Sequence, residues 1–421
     1  MSVVQRPITI KSWGGIDNVS PTGSAAENRF QEMTSVEILN SGAVKRAQGC
    51  RVISAGSGRH SAFSDGQHIH FRENTGLYRL EHDGSTTLLD NGFTTAGGRV
   101  TYYQHFDRTF YSDNLKNGVI QNGAARSWGL TPPPLPTVAN DIGDLIHGRY
   151  HIGITYIRND GQESGTSGLA AVDCTGGLRI RVAPSSDSTV AYIGVYITSA
   201  GGDVPYLQAK LANEWRQFRI GSGVGSGRPI DTNLCSAPLP CSAIAEYRGR
   251  LYMAVGPNLF FSRSGNQYEL VEQLDRSFLP FAEDITNILP VDDGLWVTTV
   301  KHSMFIQGTD PHEGGGFVVK FKQKINGKKR SGQSVDADVI TSRVLMQGRL
   351  AVWTSDSGVC FGGPGGYFKN ITGGYFHPNP SVNGMSFARS HSNLDQYFFG
   401  VLASDLVGRM VLPAITMNHT S

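Results

Sequence analysis

A chain of 421 residues with 37 Lys and Arg against 35 Asp and Glu has a net charge of +2, which gives it no overall electrostatic signature for nucleic acid. Charged residues make up only 17% and aromatics 10%, and 52 residues are glycine, a composition that suits many short strands with tight connections. The cysteines, Cys50, Cys174, Cys235, Cys241 and Cys360, are odd in number and form no C-x-x-C pair, which excludes a disulfide framework and a zinc ribbon.

The length predicts two or three domains at about 100–200 residues each. The first ten residues, MSVVQRPITI, lack a long apolar core, so they do not read as a signal peptide. No apolar run approaches the roughly 18 residues that a membrane helix needs.

Ser12 to Cys50 organises the start of the chain. Gly14-Gly15 signals a turn, and Ser20-Pro21 disfavours helix. Val36 and Ile38 then alternate with Ser35 and Glu37 at strand period. Asn40-Ser41-Gly42 turns the chain into Val44-Lys45-Arg46, and Gly49 ends the unit. The stretch holds no catalytic constellation.

Its residues Gly14, Gly15, Ile16, Asn18, Val19, Glu27, Asn28, Val36, Ile38, Gly42, Val44, Arg46 and Gly49 follow a recognisable order. That order resembles the opening of tail nozzle proteins of short-tailed bacteriophages, also called tail tubular or packaged-DNA stabilisation proteins. Ser35 and Ala47-Gln48 depart from the family, which often has Asn and Arg-Pro at those positions. The resemblance implies a structural virion protein of the tail, without cofactor, assembled in the host cytoplasm. It implies a homohexameric ring below the portal and adaptor proteins, a head–tail connector beside tail fibres or a spike. The ring retains packaged double-stranded DNA, passes it non-specifically through a lumen during ejection, and meets the host envelope at infection. Gly14, Gly15, Asn18, Val36, Ile38, Gly42, Lys45, Arg46 and Gly49 would then form an assembly motif in residues 1–50.

Beyond residue 50 the chain reads as hairpins. Asp65-Gly66 and Asp83-Gly84 each sit between apolar runs, a strong hairpin cue because glycine tolerates the positive φ of primed turns. Val100–Gln104 and Arg108–Ser112 form a further pair. Four short strands per roughly 40 residues is the period of a propeller blade. Thr131-Pro132-Pro133-Pro134-Leu135-Pro136 is a stiff connector. Residues 137–220 have the strand spacing of a small immunoglobulin- or fibronectin-like β-sandwich. Gly221 to Gly227 reads as a flexible linker, with no helix pattern after it. Hairpins of the same style resume over 221–421. The expectation is an all-β chain: a β-propeller, first part 51–136 and second part 221–421, interrupted by a sandwich at 137–220. Two unrelated β domains in series is the competing layout.

Three patterns invite chemistry. His68 and His70 are two apart, so on a strand they share a face. The His-x-His pattern can bind zinc given a third ligand, and otherwise faces solvent or a partner. Lys320, Lys322 and Lys324 alternate with Val319, Phe321 and Ile325, and Lys328-Lys329-Arg330 follows the Asn326-Gly327 turn. These cations either protect an edge strand or meet DNA phosphates or an acidic partner. Thr354 to Phe361 is close to an Asp-box, a structural turn of sialidase-like propellers in which Asp356 would accept backbone N–H groups. The alternative to the nozzle is therefore a monomeric propeller that binds glycans or cleaves glycosides in the manner of a sialidase. A sialidase needs an arginine cluster, a nucleophilic Tyr and acidic partners. No Walker A, G-x-S-x-G, H-E-x-x-H or helix-opening G-x-G-x-x-G motif is present, and the expectation is a protein without catalytic or metal-binding residues.

Overall fold

The computed structural model describes residues 17–21, 29, 36–38, 44–46, 56, 58–94, 98–166, 168–272, 276–312, 316–336, 348–372, 374–378, 384–391, 394–401 and 414–417. Among these the chain is all-β, built from antiparallel strands with no α-helix. Two short strands, β1 (Val36–Ile38) and β2 (Val44–Arg46), pair as the alternation at Val36 and Ile38 predicts.

Four-stranded meanders follow. The first contains β3 to β6 (Arg59–Ser64, Ile69–Glu73, Gly76–Leu80, Thr86–Asp90), and the second β7 to β10 (Thr101–His105, Arg108–Ser112, Asn117–Gln121, Ala124–Arg126). Gly66 and Gly84 turn two of the first sheet's hairpins at φ 88° and 86°, the conformation for which Asp-Gly was read.

Strands β11 to β17 (Thr137–Asp141, Gly148–Arg158, Ala170–Cys174, Gly177–Arg181, Val190–Ile197, Tyr206–Ala212, Gln217–Ile220) pair differently. They form a three-stranded sheet ordered β11-β14-β17 and a four-stranded sheet ordered β13-β12-β15-β16. Ile152, Ile154, Val195 and Ile197 from the larger sheet and Leu178 and Ile180 from the smaller lie in one buried core. Residues 221–227 are tied down rather than loose. Gly221 accepts from the Asp144 N–H at 2.6 Å, and Leu207 N–H donates to Arg228 at 2.9 Å. Gly227 is required there, since a Cβ would stand 1.9 Å from the Leu207 carbonyl oxygen. Gly227 serves close backbone approach, whereas Gly223 and Gly225 take positive φ of 68° and 105° with open space around them.

The meanders then resume. After β18 (Cys235–Ser236), strands β19 to β21 (Ile244–Tyr247, Arg250–Val255, Asn258–Phe261) and β23 (Phe278–Pro280) form one sheet, with β22 (Val271–Glu272) paired to β18. Strands β24 to β27 (Ile285–Val291, Gly294–Thr299, Ser303–Gln307, Val318–Gln323) form the next. Another consists of β28 to β31 (Gln333–Asp336, Arg349–Ser355, Gly358–Gly362, Phe368–Asn370). Strands β32 to β34 (Gly384–His391, Leu394–Val401, Ala414–Met417) make a three-stranded meander.

Several neighbouring meanders share apolar cores. Leu77 of the first sheet shares a core with Tyr111 and Ile120 of the second. Phe110 and Val119 of the second pack with Leu251, Met253 and Phe260, beyond the 137–220 segment. The hairpins before and after the segment thus contribute to a shared core. Leu289, Trp296 and Phe305 likewise meet Ala351, Trp353 and Cys360. Trp296 and Trp353 lie 5.4 Å apart, and Gly362 admits the indole, because a Cβ there would be 2.4 Å from it. The buried Trp296 Nε1–H finds the Gly363 carbonyl at 3.0 Å, whereas the Trp353 Nε1–H beside it is buried without a partner.

Candidate functional site

The first strands of six meanders, β3, β7, β19, β24, β28 and β32, surround one cavity of about 440 Å³. The residues at its two ends show how these strands run. Arg99, just before β7, and Arg330, just before β28, meet where Arg330 Nη2 donates to the Arg99 carbonyl at 2.5 Å. His60, early in β3, feels both charges. At the other end Arg349 pairs in register with Asp336, the last residue of β28, and acts with Glu246 of β19 on the Tyr103 hydroxyl. Burial and then the Glu246 charge hold that hydroxyl's pKa above the usual phenol range. Arg99 and Arg330 therefore mark one mouth, and Arg349 and Glu246 the other. None of these residues was identifiable from the sequence. Arg99 and Arg330 are 231 positions apart, and neither lies in a motif.

The first mouth is rich in positive charge. Arg72, buried on β4, donates to Asp113 at 2.9 Å and to the carbonyls of Thr94 and Gly98, both at 2.5 Å. Asp113 is committed further, to the N–H groups of Leu115 and Lys116 at 3.1 and 2.8 Å. Among the described residues neither the Arg99 nor the Arg330 guanidinium forms an ion pair. Burial and then the neighbouring Arg99 push Arg330 down to about 10.

Ser61 accepts from the Val100 N–H at 2.9 Å and shares a 2.8 Å hydrogen bond with His60 Nδ1, whose direction follows the ring tautomer. Burial, followed by the charges of Arg99, Arg72 and Arg330, pushes His60 down to about 4 from its ordinary 6.5. The unfolded chain therefore binds a proton between these values that the folded chain refuses. The stabilising contribution is full above pH 6.5 and is lost as the pH falls toward 4. A His60→Gln variant is expected to flatten the pH dependence of the thermal midpoint across that window, and the His60 ring in an NMR titration should stay neutral at pH 5.

The expected site residues are distributed differently. Lys320 and Lys322 lie on β27, the edge strand of its sheet, and with Lys324 are exposed. Val319 is exposed beside them at 57%, so the apolar face expected opposite the lysines is only partly covered. Lys328 is turned inward and buried, with Nζ 2.6 Å from Asp356. Its side chain is fully buried while Asp356 is 60% exposed, so the lysine is not part of a surface patch. Lys329 and Arg330 are half-buried, and Arg330 belongs to the cavity. The single cationic hairpin of the sequence reading thus divides into an exposed lysine edge and two inward cations. Asp356 binds Lys328 and the Asn326 amide at 2.7 Å, while Ser355 takes the turn N–H of Ser357 at 3.1 Å. The turn therefore differs from the expected Asp-box, where the aspartate holds its own backbone.

His70 is buried and His68 half-exposed, and both turn to Asp65, at 2.9 and 3.7 Å. Asp65 also accepts from the Gln67 and His68 N–H groups, which makes the constellation a hairpin cap. Among the described residues no group of three metal-ligating side chains comes together.

Asn18 of the opening motif is bound within the chain. Its amide donates to the His377 carbonyl and accepts from the His377 N–H, both at 2.9 Å. Its own N–H donates to Tyr375, and Arg29 stacks 3.6 Å over the Tyr375 ring. Arg46 is exposed on β2, whose partner strand carries Val36 and Ile38; Lys45 lies between Val44 and Arg46. Gly14, Gly15, Gly42 and Gly49 lie outside the described residues.

No family model matches the chain, and no curated protein matches it. Solved structures that are similar to it include apo AztD from Citrobacter koseri, at 9% identity over 90% of this chain and 92% of that one with a TM-score of 0.34. BBS1N in complex with ARL6DN is 9% identical over 82% and 87%, with a TM-score of 0.30. Sqt1 of Saccharomyces cerevisiae is 8% identical over 70% and 80%, with a TM-score of 0.24. At these values none of them bears on what the chain does.

Proposed function

We propose that the chain is a non-catalytic structural protein, a tail nozzle subunit of a short-tailed phage. The observation that carries this reading is the opening motif, whose Asn18 clasps the backbone at His377 and so ties the first residues to the far end of the chain. In this reading the six meanders are blades of a propeller around the cavity, and the two sheets of residues 137–220 are a sandwich inserted after the second blade. Blades that bury both faces make a rigid block, and rigid blocks about a cyclic axis leave a lumen. The exposed lysines of β27, repeated around a sixfold axis, would face DNA phosphates without reading sequence. The sandwich loop with Ile142 and Ile146 at 95% and 76% exposure offers apolar surface for a neighbouring subunit. Portal and adaptor proteins would sit above the ring, and fibres or a spike beside it.

Native mass spectrometry of the purified chain, alone and with a portal–adaptor complex, tests the assignment. A sixfold ring in either condition is expected, and Ile142→Asp should weaken it. A chain that stays monomeric in both overturns the reading. Arg99 and Arg330 favour a second reading, a monomeric glycan-binding or sialidase-like module. Against its catalytic form, Arg349 stands at the opposite mouth, so the three arginines of the cavity do not converge.

A further inference from the structure

Buried polar atoms without partners are rare in folded proteins, and each asks for an explanation. Three such atoms belong to residues that line the cavity: Arg330 Nε, Tyr102 Oη and Ser334 Oγ. Every one of them can donate a hydrogen bond, and an arginine Nε can do nothing else. Beside them stands the Arg99 guanidinium, half-buried and without an ion pair among the described residues. The acid that faces this cluster, Asp113, already serves Arg72 and two backbone N–H groups. The mouth is thus lined by Arg99 and Arg330, near an aspartate already paired with Arg72, and a partly desolvated cation without a partner is costly.

The backbone is strained at the same place. Ser61 and Arg330 both adopt φ near +60°, at 56° and 63°, and both line the cavity. For side chains other than Gly, Asn or Asp this conformation is uncommon, and such strain gathers at ligand sites. At Ser61 it accompanies a break in the β3–β4 register between His60 and Phe63. At Arg330 it sits in the turn that carries the guanidinium to the axis.

We propose that this mouth of the cavity binds a small oxyanion, a carboxylate or a phosphate group, between the Arg99 and Arg330 guanidinium groups. Guanidinium forks match both kinds of oxyanion, which accept hydrogen bonds and offer none. The neutral His60 adds no competing charge, and Tyr102 and Ser334 supply hydroxyl donors to the remainder of the ligand. At about 440 Å³ the cavity accommodates a ligand as large as an acidic sugar. The site is independent of ring formation, so it can stand or fall apart from the tail assignment.

Thermal shift and isothermal titration on the full chain test the site at fixed sodium chloride. The probes are inorganic phosphate, N-acetylneuraminate and, as the neutral control, N-acetylglucosamine. At saturating concentration one of the anions is expected to raise the thermal midpoint by about 2 °C, and the neutral sugar is expected not to. A larger response to the sugar acid assigns a carbohydrate carboxylate, and a larger response to phosphate assigns a phosphate source. Arg99→Gln should abolish the response while leaving the midpoint in anion-free buffer unchanged or higher, since it removes an unpaired charge. Lys322→Gln should keep the full response. No response from either anion, or the same response in Arg99→Gln, overturns the proposal. So does a large loss of stability in Arg99→Gln without ligand, which would make Arg99 a structural residue.

Discussion

Replacing Glu269 with Ala is expected to lower the unfolding free energy by about 3–5 kcal/mol, because removing a buried carboxylate shared by three arginines leaves Arg126 and Arg158 only Asp160 and Asp187, each at 3.8 Å. Its side chain is 5% exposed and meets Arg126 Nη2 at 2.7 Å, Arg158 Nη1 at 2.9 Å and Arg108 Nη1 at 3.3 Å. Arg158 and Arg126 are themselves buried at 3% and 12%, so water cannot take over their solvation. Each arginine comes from a different place. Arg108 is on β8, Arg126 on β10, and Arg158 ends β12 of the 137–220 segment. Glu269 itself follows β21 in the next meander. One carboxylate therefore ties three parts of the chain, and its loss should loosen the 137–220 segment as well as lower the denaturation midpoint. Chemical denaturation measures the first effect, and limited proteolysis between residues 131 and 136 the second. Arg158→Met added to Glu269→Ala should recover part of the loss, since it removes a stranded charge. A double variant as unstable as the sum of the two single variants would show that Glu269 and Arg158 are not coupled.

The strands were legible in the sequence because their signals are local. Asp65-Gly66 and Asp83-Gly84 announce their hairpins by the one conformation that glycine alone takes freely, and the alternation at Val36 and Ile38 marks a strand within three residues. The proline run and the change in strand spacing set residues 137–220 apart in the sequence, and their strands pair among themselves in two sheets. The lysine hairpin misled because period-two alternation says which residues share a face, and not which face is buried. Lys328 is buried although it follows the exposed lysines, and its ammonium meets Asp356, 28 positions away in the sequence. The same limit hid the cavity. Arg99 and Arg330 are 231 positions apart, and only tertiary packing brings them to one cavity, close to the Arg72–Asp113 pair. Glycine-rich residues 221–227 carried an ambiguous signal: composition cannot distinguish a loose chain from one pressed against a neighbouring backbone, as Gly227 is.

Asp113→Asn separates the structural and binding roles of that mouth. The Arg72–Asp113 pair is almost dry, at 3% and 0% side-chain exposure. Removing the negative charge leaves Arg72, Arg99 and Arg330 with no facing acid among the described residues, and is expected to cost about 3–5 kcal/mol. Asparagine keeps an oxygen for the Leu115 and Lys116 N–H groups, so the turn itself should survive. The loss is therefore electrostatic, which yields a second expectation. If the mouth binds oxyanions, a bound anion supplies the charge that Asp113 gave, and phosphate or N-acetylneuraminate should raise the variant's thermal midpoint by more than it raises that of the natural chain. Arg72→Met in the same background should recover stability without any anion and leave the ligand response intact, because Arg99 and Arg330 remain. A variant that is destabilised yet indifferent to both anions would place the whole effect in the Arg72 pair and leave Arg99 and Arg330 without a ligand.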